Sequence, residues 1–190
     1  VSVPVTIKFR SGWDEDNKNG LEYAKIAEQA GAAMLAVHGR TRSQLYRGEA
    51  DWNIVGEISK AVSVPVIGSG DVVCFESYKK ARRLSSGGVM IGRGAISNPY
   101  IFDELARGES LSYSQAELVD RTIYALRLYE KLLAQDLPPK ACIGKLKQMA
   151  SQTTRLANSG SVIRKKLCMS SSIEEFLGVL DDWEREACEA

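Results

Sequence analysis

Histidine is nearly absent from these 190 residues, with His38 alone, and cysteine is sparse, with Cys74, Cys142, Cys168 and Cys188. No two cysteines stand two or three residues apart, so the usual Cys/His ligand set for zinc cannot be assembled and no metal is expected. Scattered single thiols fit a reducing compartment, and a cytoplasmic location is the expectation. Long apolar runs are missing as well. Nothing approaches the roughly 18 consecutive residues of a membrane span, and no basic-then-apolar leader opens the chain, so no membrane partner is expected. With 44% hydrophobic and 26% charged residues the composition excludes a disordered chain.

An overall excess of one charge is also lacking, but the net +1 conceals a strong segregation. Residues 1–112 carry 14 basic and 13 acidic side chains, residues 113–170 carry 10 and 4, and residues 171–190 carry 1 and 7. The middle stretch is therefore the electropositive one.

The rhythm of the chain changes near Arg107–Ser112. Before it, short apolar runs alternate with amphipathic helices. Val3–Phe9, Met34–Val37, Val64–Gly68 and Gly88–Ile91 read as strands. Leu21–Ala30, closed by Gly31, a stretch capped by Asp51, and Phe75–Leu84 read as helices, with Pro99 opening a short one to about Arg107. Four consecutive βα units imply a parallel sheet. Ser-Val-Pro-Val occurs at 2–5 and again at 63–66, an offset of two such units. After Ser112 strands disappear. Capping boxes at Ser114–Glu117 and Ser172–Glu175 open helices, Pro138-Pro139 breaks the first of them, a second follows from about Lys140, and Leu146, Met149, Ala150, Thr153 and Leu156 are expected inward in it. The expected architecture is an α/β unit, 1–110, followed by an all-α bundle, 111–190. Val1 stands directly before a strand, which reads as part of a longer protein.

In parallel α/β proteins chemistry collects at the C-terminal strand ends. Here those ends carry Lys8 and Arg10; His38, Arg40 and Arg42; Gly68-Ser-Gly-Asp71; and Gly92-Arg-Gly94. Glycine turns bring backbone amides to a phosphate, and cations neutralise it. If the two glycine turns are the phosphate loops that follow strands seven and eight of a (β/α)8 barrel, the four strands are strands five to eight. On the residues alone, the pattern favours Lys8 as a strand-end lysine reaching solvent, and His38 is equally a core histidine.

The runs Thr6-Ile-Lys-Phe-Arg-Ser-Gly-Trp-Asp14, Ala36-Val-His-Gly-Arg-Thr-Arg42 with Gln44, Tyr46, Gly48 and Ala50-Asp-Trp52, Pro65-Val-Ile-Gly-Ser-Gly-Asp71, and Met90-Ile-Gly-Arg-Gly-Ala95 with Asn98-Pro-Tyr100 together resemble the tRNA-dihydrouridine synthases of bacterial type. The match covers residues 1–108 closely and the helical tail by architecture. The resemblance implies the C-terminal half of a (β/α)8 TIM barrel, a helical tRNA-binding domain, FMN as cofactor and NADPH as reductant, in an enzyme that converts tRNA uridines to 5,6-dihydrouridine. It implies further that Lys8 contacts the flavin ring, His38 lies beside the ribityl-phosphate arm, and Ser69, Gly70, Asp71, Gly92 and Arg93 hold the phosphate end. Arg10 and Arg40 are then expected at the substrate. Ser69 stands where the family usually has Asn, which implies weaker binding. The family's acid is a cysteine in an Asn-x-x-Cys-Pro context. No cysteine here has that context, so no catalytic residue is assigned and an N-terminal barrel half is expected as partner.

Taking a base out of a folded tRNA also requires a grip on the surrounding backbone. Lys140, Lys147 and Arg155 are expected on one side of their helix, with Arg164 and Lys165 in a cluster after Gly160. Two alternatives remain open: another FMN barrel acting on a small molecule, of the dihydroorotate-dehydrogenase kind, or a non-catalytic RNA-binding fragment.

Overall fold

A computed structural model describes residues 2–188, with side chains to residue 187. Val1, Glu189, Ala190 and the side chain of Cys188 lie outside the described residues.

Four parallel strands form one sheet in the order β1 (Thr6–Arg10), β2 (Met34–His38), β3 (Val66–Ser69), β4 (Gly88–Met90). Between them run the helices α1 (Gly20–Gln29), α2 (Trp52–Ala61) and α3 (Phe75–Arg82), followed by α4 (Arg93–Ser97) and α5 (Ile101–Arg107). Leu35, Val37 and Val66 from the sheet pack with Ala24, Ala27, Val55 and Ile58 of the helices. Each fully buried valine, leucine or isoleucine among them contributes about 2 kcal/mol. Small alanines on α1 let that helix lie close to the strands. Asp51 caps α2 as expected, accepting from the amide of Asn53 at 2.9 Å. Gly31 has φ +90°, the left-handed conformation its place after α1 required.

β1 begins at Thr6 rather than Val3, because Val3 and Val5 are exposed and unpaired with β2, whose register with β1 runs from Thr6↔Met34 to Arg10↔His38. The helix α4 was not expected. Its glycine start carried no cap signal, yet Gly94 is buried so close to the Val72 carbonyl that a Cβ would come within 2.0 Å of that oxygen.

The helical elements are α6 (Gln115–Asp136), α7 (Pro139–Thr153), α8 (Gly160–Met169) and α9 (Ile173–Cys188). Their core is Leu126, Leu146, Ile163, Leu167, Phe176, Leu180 and Trp183. The Ser114–Glu117 capping box forms in both directions. At α9 the Glu175 amide bonds Ser172 Oγ, but the Glu175 carboxylate reaches Ser171 instead. Leu156, expected inward, is exposed, because α7 ends at Thr153 and the chain turns away. The chain forms two compact units. One holds the residues up to Ala95 with Ile101–Ser110; the other holds Ile96–Tyr100 with Leu111 onward. A single border at 110 misses this exchange. Tyr100 belongs with the helices because it stacks on Tyr113 at 3.6 Å, and Arg121 lies over its ring at 4.0 Å.

Candidate functional site

Parallel register sets the site. Arg10 pairs with His38, His38 with Ser69, and Ser69 with Met90, so one level of the sheet crosses the C-terminal ends of all four strands. His38 is buried, and its imidazole is held down at a pKa of about 4, chiefly by burial and then by the positive charges of Arg10, Lys8 and Arg40; Asp71 opposes them weakly. It is therefore neutral at physiological pH. Lys8 is exposed on β1, the sheet's edge strand. Its charge reaches His38, which places Lys8, Arg10, His38 and Asp71 in one neighbourhood.

The loop after β3 has the most constrained backbone. Gly70 has φ +137°, and a Cβ there would stand 2.4 Å from that of Ala50 and 3.3 Å from His38 Cδ2. Only glycine serves at this position. Its carbonyl accepts from Trp52 Nε1 at 3.0 Å. Asp71 follows with φ +53°. Its carboxylate accepts from Arg40 Nη2 at 2.7 Å, from the Ala50 amide at 2.8 Å and from Arg93 Nη2 at 3.4 Å.

Two expected roles are corrected by this network. Arg40, expected at the RNA, is only 2% exposed and spends its guanidinium on Asp71 and on the carbonyls of Arg47 and Gly48. It anchors the 41–50 loop from beneath. Asp71, expected at a phosphate, is a carboxylate already committed to two arginines and an amide. Its contribution is to neutralise Arg40 and to hold Arg93. Arg93 itself is half-exposed and lies 4.5 Å over the ring of Tyr46. Arg10 reaches the other end of that loop, donating to the carbonyls of Thr41 and Leu45 at 2.8 and 3.0 Å. Gly92 has open space where a Cβ would stand. Tyr46 went unassigned in the sequence, because the arginines that lie over its ring, Arg10 and Arg93, come from distant strand ends.

A phosphorylated cofactor fits these residues. The turn at Gly70 closes on Ala50 and His38 and admits no side chain, Arg93 offers a solvent-facing cation, His38 is neutral, and the Asp71 carboxylate is already paired with Arg40.

In the helical unit Arg155 lies past the end of α7, so it does not share a side with Lys140 and Lys147. The Glu175 carboxyl is held below the usual range chiefly by the hydrogen bonds from Ser171, with a smaller pull from the charge of Lys147. Arg155 and Arg164 line a common open cleft, and Lys165 is exposed on α8, a helix the sequence reading treated as loop and cluster. Among the described residues no group of three or more His, Cys, Asp or Glu is placed to hold a metal ion, and no helix is long and apolar enough to cross a membrane.

Residues 1–187 match the family described as dihydrouridine synthase (Dus). The tRNA-dihydrouridine synthase B of Pseudomonas putida is 50% identical over 128 residues, which is 65% of this chain and 38% of that protein. A probable tRNA-dihydrouridine synthase of Rickettsia bellii is 47% identical over 106 residues, 55% of this chain and 32% of that protein. The chain thus spans well under half the length of these relatives. Among solved structures, a mandelate oxidase mutant with a monooxide FMN adduct aligns with 94% of this chain and 61% of its own at 15% identity and a TM-score of 0.33. A likeness that loose carries no argument.

Proposed function

Because the chain belongs to the dihydrouridine synthase family, we propose that it is the cofactor-holding and RNA-gripping part of an enzyme that reduces uridine in tRNA to 5,6-dihydrouridine. In this reading β1 to β4 are strands five to eight of a (β/α)8 barrel, residues 1–110 are its second half, and 111–190 are the tRNA-binding domain. The open edges of β1 and β4 favour completion by further strands, since an unpaired edge exposes a row of backbone donors and acceptors. The N-terminal half of the same barrel supplies them, and with them the acid that protonates the uracil. No residue of this chain is assigned that step.

One observation carries the cofactor assignment: Arg93, held by Asp71 and Tyr46, stands beside a glycine turn that only a backbone can occupy. FMN bound there would supply the hydride for the uracil, with NADPH as the source of electrons. Arg93 and the backbone at Gly70 and Gly92 hold its phosphate. Ser69 and neutral His38 donate hydrogen bonds beside it, and Lys8 offers a positive charge to the ring. Arg10 is left to face the substrate base. A cytoplasmic location follows from the substrate.

The test uses the full-length protein. Purified wild type is expected to carry a flavin absorbance band, and Arg93→Ala to retain about tenfold less FMN, the usual effect of losing one charge-assisted contact. Transfer RNA treated with the enzyme and NADPH should gain two mass units at uridine. A colourless protein that takes up no added FMN overturns the proposal.

A further inference from the structure

The electropositive stretch of the helical unit is not uniformly available to a ligand. Arg127 is neutralised by Asp181 and Glu184 at 2.6 and 2.7 Å. Arg121 covers the Tyr100 ring. Arg155 and Arg164 differ from these. Neither forms an ion pair among the described residues, and the only side-chain hydrogen bond of Arg155 is a long one, 3.4 Å, from Nε to the Ser151 carbonyl. Both line one open cleft of about 700 Å³ with Ser151, Thr154, Asn158 and Ser161. No carboxylate lines it.

The turn between α7 and α8 is tightly closed, since a Cβ on Gly160 would lie 1.7 Å from the Thr154 carbonyl oxygen. The Asn158 backbone amide donates to Gln115 Oε1 at 2.7 Å, and the side chains of Asn158 and Ser161 make no hydrogen bond among the described residues. Ser159 turns its hydroxyl inward to accept from Trp183 Nε1 at 2.9 Å and makes no cap on α8. Two planar guanidinium forks without a counter-charge, beside uncommitted amide and hydroxyl donors, form a receptor for an oxyanion. The cleft is far too open to enclose a small anion. Its ligand is therefore one charged link of a longer chain.

We propose that this cleft is a phosphodiester subsite, in which Arg155 and Arg164 together grip a single backbone phosphate of the bound RNA. The assignment rests on the tRNA reading above and sharpens it from a diffuse basic face to one shared contact.

Binding of the full-length protein to unmodified tRNA, followed by filter retention, separates a shared contact from diffuse attraction. The variants are Arg155→Gln, Arg164→Gln, the double variant, and Lys131→Gln as an exposed cation of α6 outside the cleft. Each single arginine change is expected to lower affinity about tenfold at moderate salt. The double variant should lose little more than either, because both arginines serve one phosphate. Lys131→Gln should change affinity less than about threefold. Inorganic phosphate, added at constant ionic strength against chloride, should compete with tRNA weakly in wild type and not at all in the double variant. Losses that simply add, or that equal the Lys131 effect, overturn the shared site. So does inorganic phosphate that binds wild type at micromolar concentration without displacing tRNA, since the cleft would then serve the free ion. If wild type binds no tRNA, the functional reading itself fails; if it binds and the arginine variants bind equally, only this subsite fails. Unchanged thermal unfolding of the variants is expected, as both side chains lie on the surface of the cleft.

Discussion

Arginine is used in opposite ways in the two units of this protein. In the α/β unit Arg40 is buried, its charge paired with Asp71 and its Nε and Nη2 donating to loop carbonyls, while Nη1 has no hydrogen-bond partner among the described residues. In the helical unit Arg155 and Arg164 face solvent with no counter-charge. A buried charge must be satisfied by folding itself, because its desolvation cost is several kcal/mol. A surface charge stays hydrated and is neutralised only when a ligand arrives, so its effect is on affinity and is sensitive to salt. The first kind of arginine shapes a site; the second kind binds through it. Arg93 stands between the two, aimed by Asp71 and Tyr46 yet open to solvent.

The sharpest way to break this contrast is to delete one member of each kind. Arg40→Ala removes three hydrogen bonds and leaves Asp71 with only the Ala50 amide and the longer contact to Arg93, and is expected to destabilise the full-length protein by about 4 kcal/mol. Arg155→Ala is expected to change stability by less than about 0.5 kcal/mol. Urea unfolding measures both, and equal effects would erase the distinction between the two arginines.

His38 gives the next largest effect. Its folded pKa of about 4 lies below the ordinary value of 6.5, chiefly because it is buried and then because Arg10, Lys8 and Arg40 are near. Between those values the unfolded chain binds a proton that the folded protein refuses. Stability is therefore complete above about pH 6.5 and falls as the pH drops towards 4, by up to about 3 kcal/mol. Carboxylates titrate in the same range, so the diagnostic quantity is the difference between wild type and His38→Gln. That difference should widen against wild type as the solution is acidified, and parallel curves would refute the burial argument.

The contrast also separates what was legible in the sequence from what was not. Periodic elements with a local signal were readable. Asp51 at its cap, Gly31 past its helix and the Ser114–Glu117 box all act within a few residues of where they stand. The four strand ends were readable as a cluster for the same reason, since a parallel sheet brings them to one edge. Arg40 was not. Its burial depends on Asp71, 31 residues away, and on a loop folded back over it, and nothing local distinguishes it from Arg42. The helix α8 was missed because Ile163 and Leu167 are its only large buried side chains, while the exposed Val162 and Met169 blur its stripe. Without α8 the cleft that joins Arg155 to Arg164 could not be foreseen.

Within the helical unit a capping change is expected to outweigh an ion pair. Ser114→Ala removes the hydroxyl that accepts from the Glu117 amide at 3.2 Å and donates to its carboxylate at 2.8 Å. The expected loss is about 1 kcal/mol in urea unfolding. A loss as large as that of Arg40→Ala would mean that α6 nucleates the unit rather than being carried by its packing.

The smallest expected effect tests whether a paired surface arginine behaves more like Arg40 or like Arg155. Arg127 resembles Arg40 in its partners, with Asp181 and Glu184 both within hydrogen-bond distance. It resembles Arg155 in its exposure, since about a third of its side chain is in water. Solvent screening should decide the matter, because the attraction between charges at such a surface is offset by hydration and by the entropy of two long side chains. Arg127→Ala is expected to cost about 0.5 kcal/mol at low salt, and the cost should shrink further in 1 M salt, where screening acts over about 3 Å. A salt-insensitive loss of several kcal/mol would place Arg127 with the buried kind and show that pairing, rather than burial, separates the two uses of arginine in this chain.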